Sequence, residues 1–129
     1  MTTELSLLAF AVVLGLVQIT LAAIASTGQR GLDWNLGPRD EVVPPLQGRA
    51  GRLDRVLKNF LETFPLFAAA VLIASLAGRH NALTHWGAIL YVAGRVAYVP
   101  LYAFGIRVLR TAAWGFATLG ILLVLAGLF

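Results

Sequence analysis

Four long apolar stretches, Leu5 to Ser26, Phe60 to Gly78, Ala82 to Phe104 and Ala112 to Phe129, decide what this chain can fold into. A chain of 129 residues has too little interior to bury them all from water. Each is long enough to cross a bilayer as a helix, since a hydrocarbon core of about 30 Å needs roughly 17–25 residues. The composition agrees, with 59% hydrophobic and only 12% charged residues. The first stretch lacks a basic leader (Glu4 is its flanking charge) and exceeds the length of a signal-peptide core, about 7–15 residues, so it reads as a retained span. The expected fold class is all-α integral membrane, a four-transmembrane-helix up-down bundle.

The connections are unequal. Residues 27–48 form one long loop rich in glycine and proline, whereas Gly78 to Asn81 and Gly105 to Leu109 leave room only for tight turns between antiparallel helices. Pro44-Pro45 suits the first turn of the second helix, which then runs outside the bilayer before its apolar part begins at Phe60. An even number of spans puts both termini and the second loop on one side. Arg30, Arg39, Arg49, Arg52, Arg55, Lys58, Arg107 and Arg110 all fall on the other, against Arg79 opposite, and the positive-inside rule makes that basic side cytoplasmic. The chain reads as a single domain over residues 1–129, without internal repeats. A single lysine among ten basic residues, with abundant Ala, Leu and Gly, fits a GC-rich bacterial genome and hence an inner membrane.

Several kinds of chemistry are excluded. There is no cysteine, so disulfides, thiolate nucleophiles and cysteine metal sites are absent, and two histidines are too few for a protein-built zinc site. Any thiol chemistry must use a thiol brought by a ligand. The formal charge of +4 sets membrane topology rather than nucleic-acid binding, because the basic residues alternate with membrane sequence and not with exposed aromatics. No glycine-rich phosphate loop or Ser/His/Asp arrangement is present. His80 and His85 fall at the opposite surface, five apart on different helix faces, and receive no function. Gly115, Gly120 and Gly127 read as sites of close helix packing.

The informative residues are polar ones inside apolar sequence. Arg52, Arg55, Asn59 and Glu62 follow at i, i+3, i+7 and i+10, within an arc of roughly 80° on one helix face. Arg52 and Lys58 taken alone serve equally well as interfacial anchors. Asn59 and Glu62 do not, because a carboxylate inside the hydrocarbon boundary is costly unless paired, which turns it toward the bundle interior. Arg95 lies about 13.5 Å up the third span from Phe104, near the bilayer centre, and Glu62 is its expected partner. Tyr98 and Tyr102 share its face within an arc of roughly 60°. Tyr102 is placed like an aromatic-belt residue, whereas Tyr98 lies too deep for one. Arg107 and Arg110, with Thr111, stand between the last two spans, and one of the two arginines is accounted for by the positive-inside rule alone. Such a site fits a small polyanion, with a second, lipid-soluble partner entering laterally from the membrane lipids.

The string Arg52-Leu-Asp-Arg55-Val-Leu-Lys58-Asn59-Phe-Leu-Glu62-Thr-Phe-Pro65-Leu-Phe67 resembles the signature of the MAPEG family, the membrane-associated proteins in eicosanoid and glutathione metabolism. The likeness extends to Gly94-Arg95-Val-Ala-Tyr98-Val-Pro-Leu-Tyr102 and more weakly to Arg110-Thr111 and Thr27-Gly28-Gln29-Arg30. It implies a homotrimer with glutathione bound as co-substrate between subunits on the cytoplasmic side. Carried over by position, Arg55, Asn59 and Glu62 resemble the second-helix glutathione contacts, with Arg52 adjoining them and Lys58 standing where some relatives have arginine; Arg95, Tyr98 and Tyr102 are similar to the third-helix contacts, Tyr98 standing where some members have histidine. Arg30 is similar to the residue that reaches in from a neighbouring subunit. Arg110 resembles the arginine that holds the glutathione thiolate, and Thr111 stands where part of the family has serine. The segment between Tyr102 and Arg110 is one residue shorter than in the prostaglandin E synthase branch, so Arg107 competes for that role. Trp114 replaces a common tyrosine.

The resemblance implies a glutathione transferase or peroxidase acting on lipophilic electrophiles or lipid hydroperoxides, without metal and without nucleic acid. The alternative is a non-catalytic trimeric membrane protein that binds a lipid or partner, like the lipoxygenase-activating member. A transporter ranks below both, because paired repeats and broken half-helices are absent.

Overall fold

A computed structural model describes all 129 residues and is entirely helical. Four long helices, α1 (Thr3–Arg30), α3 (Gly48–Leu76), α4 (Ala82–Ala103) and α5 (Arg107–Ala126), are joined by two short turns and, between α1 and α3, by a five-residue helix, α2 (Leu32–Leu36), and the non-helical segment 37–47. Three of them, α1, α3 and α5, are long and apolar enough to cross a membrane. With 22 residues α4 is about 33 Å long, which suffices, but Arg95 and all three tyrosines of the chain lower its hydropathy. It sits in an apolar bundle because Tyr91, Arg95 and Tyr98 are turned inward and buried.

Several boundaries differ from those read off the sequence. The long loop is shorter than expected, since α1 continues to Arg30 and α2 occupies part of the remainder. Pro44 and Pro45 precede α3 instead of opening it; the helix starts at Gly48 behind Gln47, whose backbone N–H and carbonyl are both engaged by the Gln29 side chain at 2.9 and 3.2 Å. That clasp holds the chain extended through the prolines. The last helix begins at Arg107 and not at Ala112, so Arg107, Arg110 and Thr111 belong to its first turns.

Both tight turns have the same cause. Gly78 (φ 64°) ends α3 and Gly105 (φ 73°) ends α4, each in the left-handed conformation that suits glycine. In each case the next N–H folds back onto the last turn, Arg79 to Ala74 at 2.8 Å and Ile106 to Leu101 at 2.9 Å. The helices then run antiparallel, α1 packing on α3 and α4, and α5 on α4 and α3, while α1 and α5 do not touch.

The core is built from small residues and stacked rings. Phe67 of α3 stacks on Tyr91 of α4 with centroids 4.0 Å apart, and Thr63 shares a hydrogen bond of 3.1 Å with the Tyr91 hydroxyl. Along the α4–α5 seam the backbones nearly touch. A Cβ on Gly120 would lie 2.5 Å from the Gly87 carbonyl oxygen, and one on Gly94 would lie 2.8 Å from that of Ala113. Gly127 is equally confined, against Thr84 and Asn81, whereas Gly115 faces open space and packs against nothing in the chain. The packing role expected for it is therefore corrected; it points to the outer face of α5.

Side chains close the end opposite the basic one. Glu4 accepts a 2.8 Å hydrogen bond from the Thr84 hydroxyl, Asn81 caps α4, and the Asn81 amide donates to the Gly127 carbonyl at 2.8 Å. His80, read as idle from the sequence, stands 3.8 Å from the Glu4 carboxylate. Both chain ends thus meet the α3–α4 turn, as an even number of spans requires.

Gly120→Leu is expected to destabilise the protein by about 1–3 kcal/mol by forcing the α4–α5 seam apart. Gly115→Ala, in open space, is expected to be neutral or to stabilise by up to about 1 kcal/mol through helix propensity. Thermal unfolding in detergent compares the two.

Candidate functional site

Three helices bring polar side chains together at the basic end of the bundle. Asn59 of α3, Tyr98 and Tyr102 of α4, and Arg110, Thr111 and Trp114 of α5 line an open cavity of about 240 Å³. Helical spacing explains the contributions: Tyr98 and Tyr102 are four apart, as are Arg110 and Trp114, so each pair shares a face, and Thr111 borders the second pair. Arg55, one turn before Asn59, donates from Nε to the Tyr102 hydroxyl at 2.9 Å. The Arg110 guanidinium lies over the same ring, 4.4 Å from its centroid. Tyr102 is therefore held by arginines from two helices.

Arg95 lies behind this wall. It is fully buried, flanked by the Tyr98 ring at 4.6 Å and the Phe60 ring at 5.6 Å, and its Nη1 donates to Asn59 Oδ1 at 2.7 Å. Its Nε and Nη2 have no partner. Glu62, the partner expected for Arg95, does not take that place: it is exposed and forms no ion pair within 4.0 Å, and Asn59 bonds the guanidinium instead. The reason is angular. The buried positions of α3, such as Val56, Phe60, Phe67 and Ala74, cluster on one side; Asn59 borders that side, and Glu62 is turned about 60° further from it.

The remaining predicted site residues fall outside the cavity within one chain. Arg30 lies over Trp34, 4.9 Å from the ring centroid, and lines a separate cavity with Pro44 and Pro45. Arg52 is half-buried, with its Nε unpartnered, and Lys58 pairs with Asp54 at 2.9 Å along the exposed face of α3. Arg107 is exposed and does not line the cavity, whereas Arg110 does. Sequence alone assigns no role to Phe60, which lies against Arg95 behind the cavity, and marks Trp114, which lines it, only as the replacement of a tyrosine. Spacing of i+4 from Arg110 would have found Trp114, but placing the helix start at Ala112 hid the relation.

The electrostatics are one-sided. No carboxylate lines the cavity. Arg110 stands at its edge, Arg95 behind it has no carboxylate within 4.0 Å, and α5 begins with no side-chain cap, leaving the positive end of the helix there. Such a cavity attracts an anion. On the far side of the α4–α5 seam, Leu90, Ala93, Leu101, Leu109, Ala112 and Phe116 line an apolar cavity of about 390 Å³. No group of acidic and histidine side chains is arranged to hold a metal ion.

These features define an integral helical membrane protein with a cationic cavity at one end of its bundle. Compared with known families, residues 7–129 match the MAPEG family, and the chain belongs to it; its fold is a four-helix membrane bundle. No curated protein matches the sequence.

Asn59→Leu removes the one acceptor bonded to Arg95 and strands a buried guanidinium. It is expected to cost about 1.5–3 kcal/mol. Tyr102→Phe, which frees the exposed Arg55, is expected to cost under about 1 kcal/mol. Equilibrium or thermal unfolding separates the two.

Proposed function

We propose that this protein is a membrane-bound glutathione-dependent enzyme that conjugates lipophilic electrophiles or reduces lipid hydroperoxides. The observation that carries the reading is the cavity of Asn59, Tyr98, Tyr102, Arg110 and Thr111, which holds a guanidinium and no acid. Family membership supplies the glutathione-related context, and a chain without cysteine needs its sulfur from a ligand.

Glutathione is acidic overall and matches a donor-rich wall. Arg55, Asn59, Tyr98, Tyr102 and Thr111 hold it, with Arg95 behind them. Arg110 faces the sulfur. A free thiol has a pKa of about 8.5 and is mostly protonated at neutral pH; an adjacent guanidinium favours the thiolate. In conjugation the thiolate attacks an electrophilic carbon, a C–S bond forms and the leaving group departs with its electron pair. In peroxide reduction two glutathione molecules are oxidised to the disulfide while the hydroperoxide becomes an alcohol and water. The lipophilic substrate enters from the membrane beside Trp114, which is partly exposed next to the cavity.

Arg30, Arg52, Lys58 and Glu62 lie outside the cavity of one chain. In the homotrimer we propose, they complete the site along subunit boundaries, and contact with a neighbour also shelters the exposed Glu62 carboxylate from lipid. The basic end faces the cytoplasm, in a bacterial inner membrane, where glutathione is supplied. The alternative, a non-catalytic trimer that binds lipid or a partner, draws on the apolar cavity across the α4–α5 seam.

Thermal unfolding across a glutathione titration tests the reading. Saturable stabilisation, about 2.7 kcal/mol at 100 times the dissociation constant, is expected. No shift at millimolar glutathione would favour the lipid-binding alternative. Arg110→Ala is expected to lower conjugation of a model electrophile about a hundredfold, with Arg107→Ala within a few fold of the parent. The reverse pattern would transfer the thiolate role to Arg107.

A further inference from the structure

A primary amide is two-faced, because its oxygen accepts hydrogen bonds and its nitrogen donates them, and a half-turn about the side-chain axis exchanges the two. Asn59 lines the cavity, so which face it shows decides whether that wall attracts or repels an anion. Arg95 does not line the cavity. It is fully buried behind it and touches Asn59 through Nη1 to Oδ1, at 2.7 Å. A guanidinium has donors only, so it can bond the amide in one orientation alone, with the oxygen inward and the Nδ2 protons left over for the cavity.

The structure assigns Arg95 the part of a positioning residue: it does not touch the ligand, but it fixes the Asn59 amide so that hydrogen-bond donors face the cavity. This rests on the reading of that cavity as the glutathione site. The clamp is rigid on its own side. The guanidinium lies against the Phe60 and Tyr98 rings, no carboxylate lies within 4.0 Å to draw it away, and Asn59 Oδ1 is its single acceptor. Arg55 does the same to a second ambivalent group. By donating to the Tyr102 oxygen at 2.9 Å it occupies an acceptor site there and leaves the phenol proton to point elsewhere. Two arginines thus turn an amide and a phenol, each able to accept or donate, into donors. The ligand class that follows is one presenting anionic oxygen at this wall, in preference to an ammonium or a neutral amide.

The test is calorimetric titration of the purified membrane protein with glutathione, with thermal unfolding of each variant alongside. Asn59→Asp keeps an oxygen toward Arg95, with a charge that strengthens the bond, but replaces the outward donors by an acceptor. Its unfolding midpoint is expected to equal or exceed that of the parent while binding weakens at least about thirtyfold. Arg95→Met leaves the amide free to turn and is expected to weaken binding about tenfold, and Arg95→Lys, again a donor-only group, to recover most of the loss. Binding by Asn59→Asp within about threefold of the parent would overturn the inference, as would Arg95→Lys performing no better than Arg95→Met. If the parent itself does not bind glutathione, the functional reading falls first. The clamp is then judged without ligand, from the double-mutant cycle of Arg95→Met and Asn59→Ala. A coupling of about fivefold or more in the unfolding equilibrium sustains the clamp, and independence of the two sites overturns it.

Discussion

The hydrogen bond from Arg95 to Asn59 is the interaction around which the bundle is arranged. A guanidinium deep in hydrocarbon requires a polar partner on a neighbouring helix, and that requirement fixes how α4 meets α3. Aromatic faces do the rest. The Phe60 and Tyr98 rings both lie against the charge, so a group that would otherwise draw water or lipid headgroups into the bundle is enclosed by protein. The same turn of α4 buries Tyr91 against Phe67. Rotating the helix to expose Arg95 would break the stacking as well as the hydrogen bond.

Close backbone approach makes that arrangement possible. Gly87, Gly94 and Gly120 let α4 and α5 come together until no Cβ fits between them. In lipid, where apolar surface gains little from leaving one hydrocarbon for another, such contact and the hydrogen bonds it permits are the main source of association. The far end is tied by Glu4 to Thr84 and by Asn81 to Gly127, which leaves α4 held at its start and in its middle. The basic end is tied less by backbone than by arginines lying on aromatic rings, Arg30 on Trp34, Arg49 on Phe104 and Arg110 on Tyr102. Charge and aromatic surface are concentrated where the cavity opens.

The cavity gains its character from what faces it and from what stands behind it. Arg110 contributes a cation directly, and Arg55 and Arg95 act on Tyr102 and Asn59. A site made in this way favours an anionic ligand before any single contact is considered, because a guanidinium lines it and no carboxylate does. Trp114 adds an exposed aromatic surface to its edge.

Much of this was legible in the residues. Four apolar runs separated by glycine turns at Gly78 and Gly105 fix the helices and their antiparallel order, because each run is long enough to span and each turn too short to do anything else. Local spacing placed Tyr98 with Tyr102 and Arg55 with Asn59 on shared faces, and the glycines Gly120 and Gly127 in the seam. Helix limits were less legible: Arg107 to Thr111 read as a connection because charge hides a helix start from hydropathy, and Pro44-Pro45 read as a helix opening because local preference says nothing of the Gln29 clasp. Partner choice was beyond the sequence. Glu62 is the carboxylate that composition offers to Arg95, yet the rotation of α3, set by packing Val56, Phe60 and Phe67 inward, presents Asn59 instead. Periodicity determines which residues share a face of one helix. Only the packed bundle decides which face meets which, since that is settled by the fit of side chains from several helices at once.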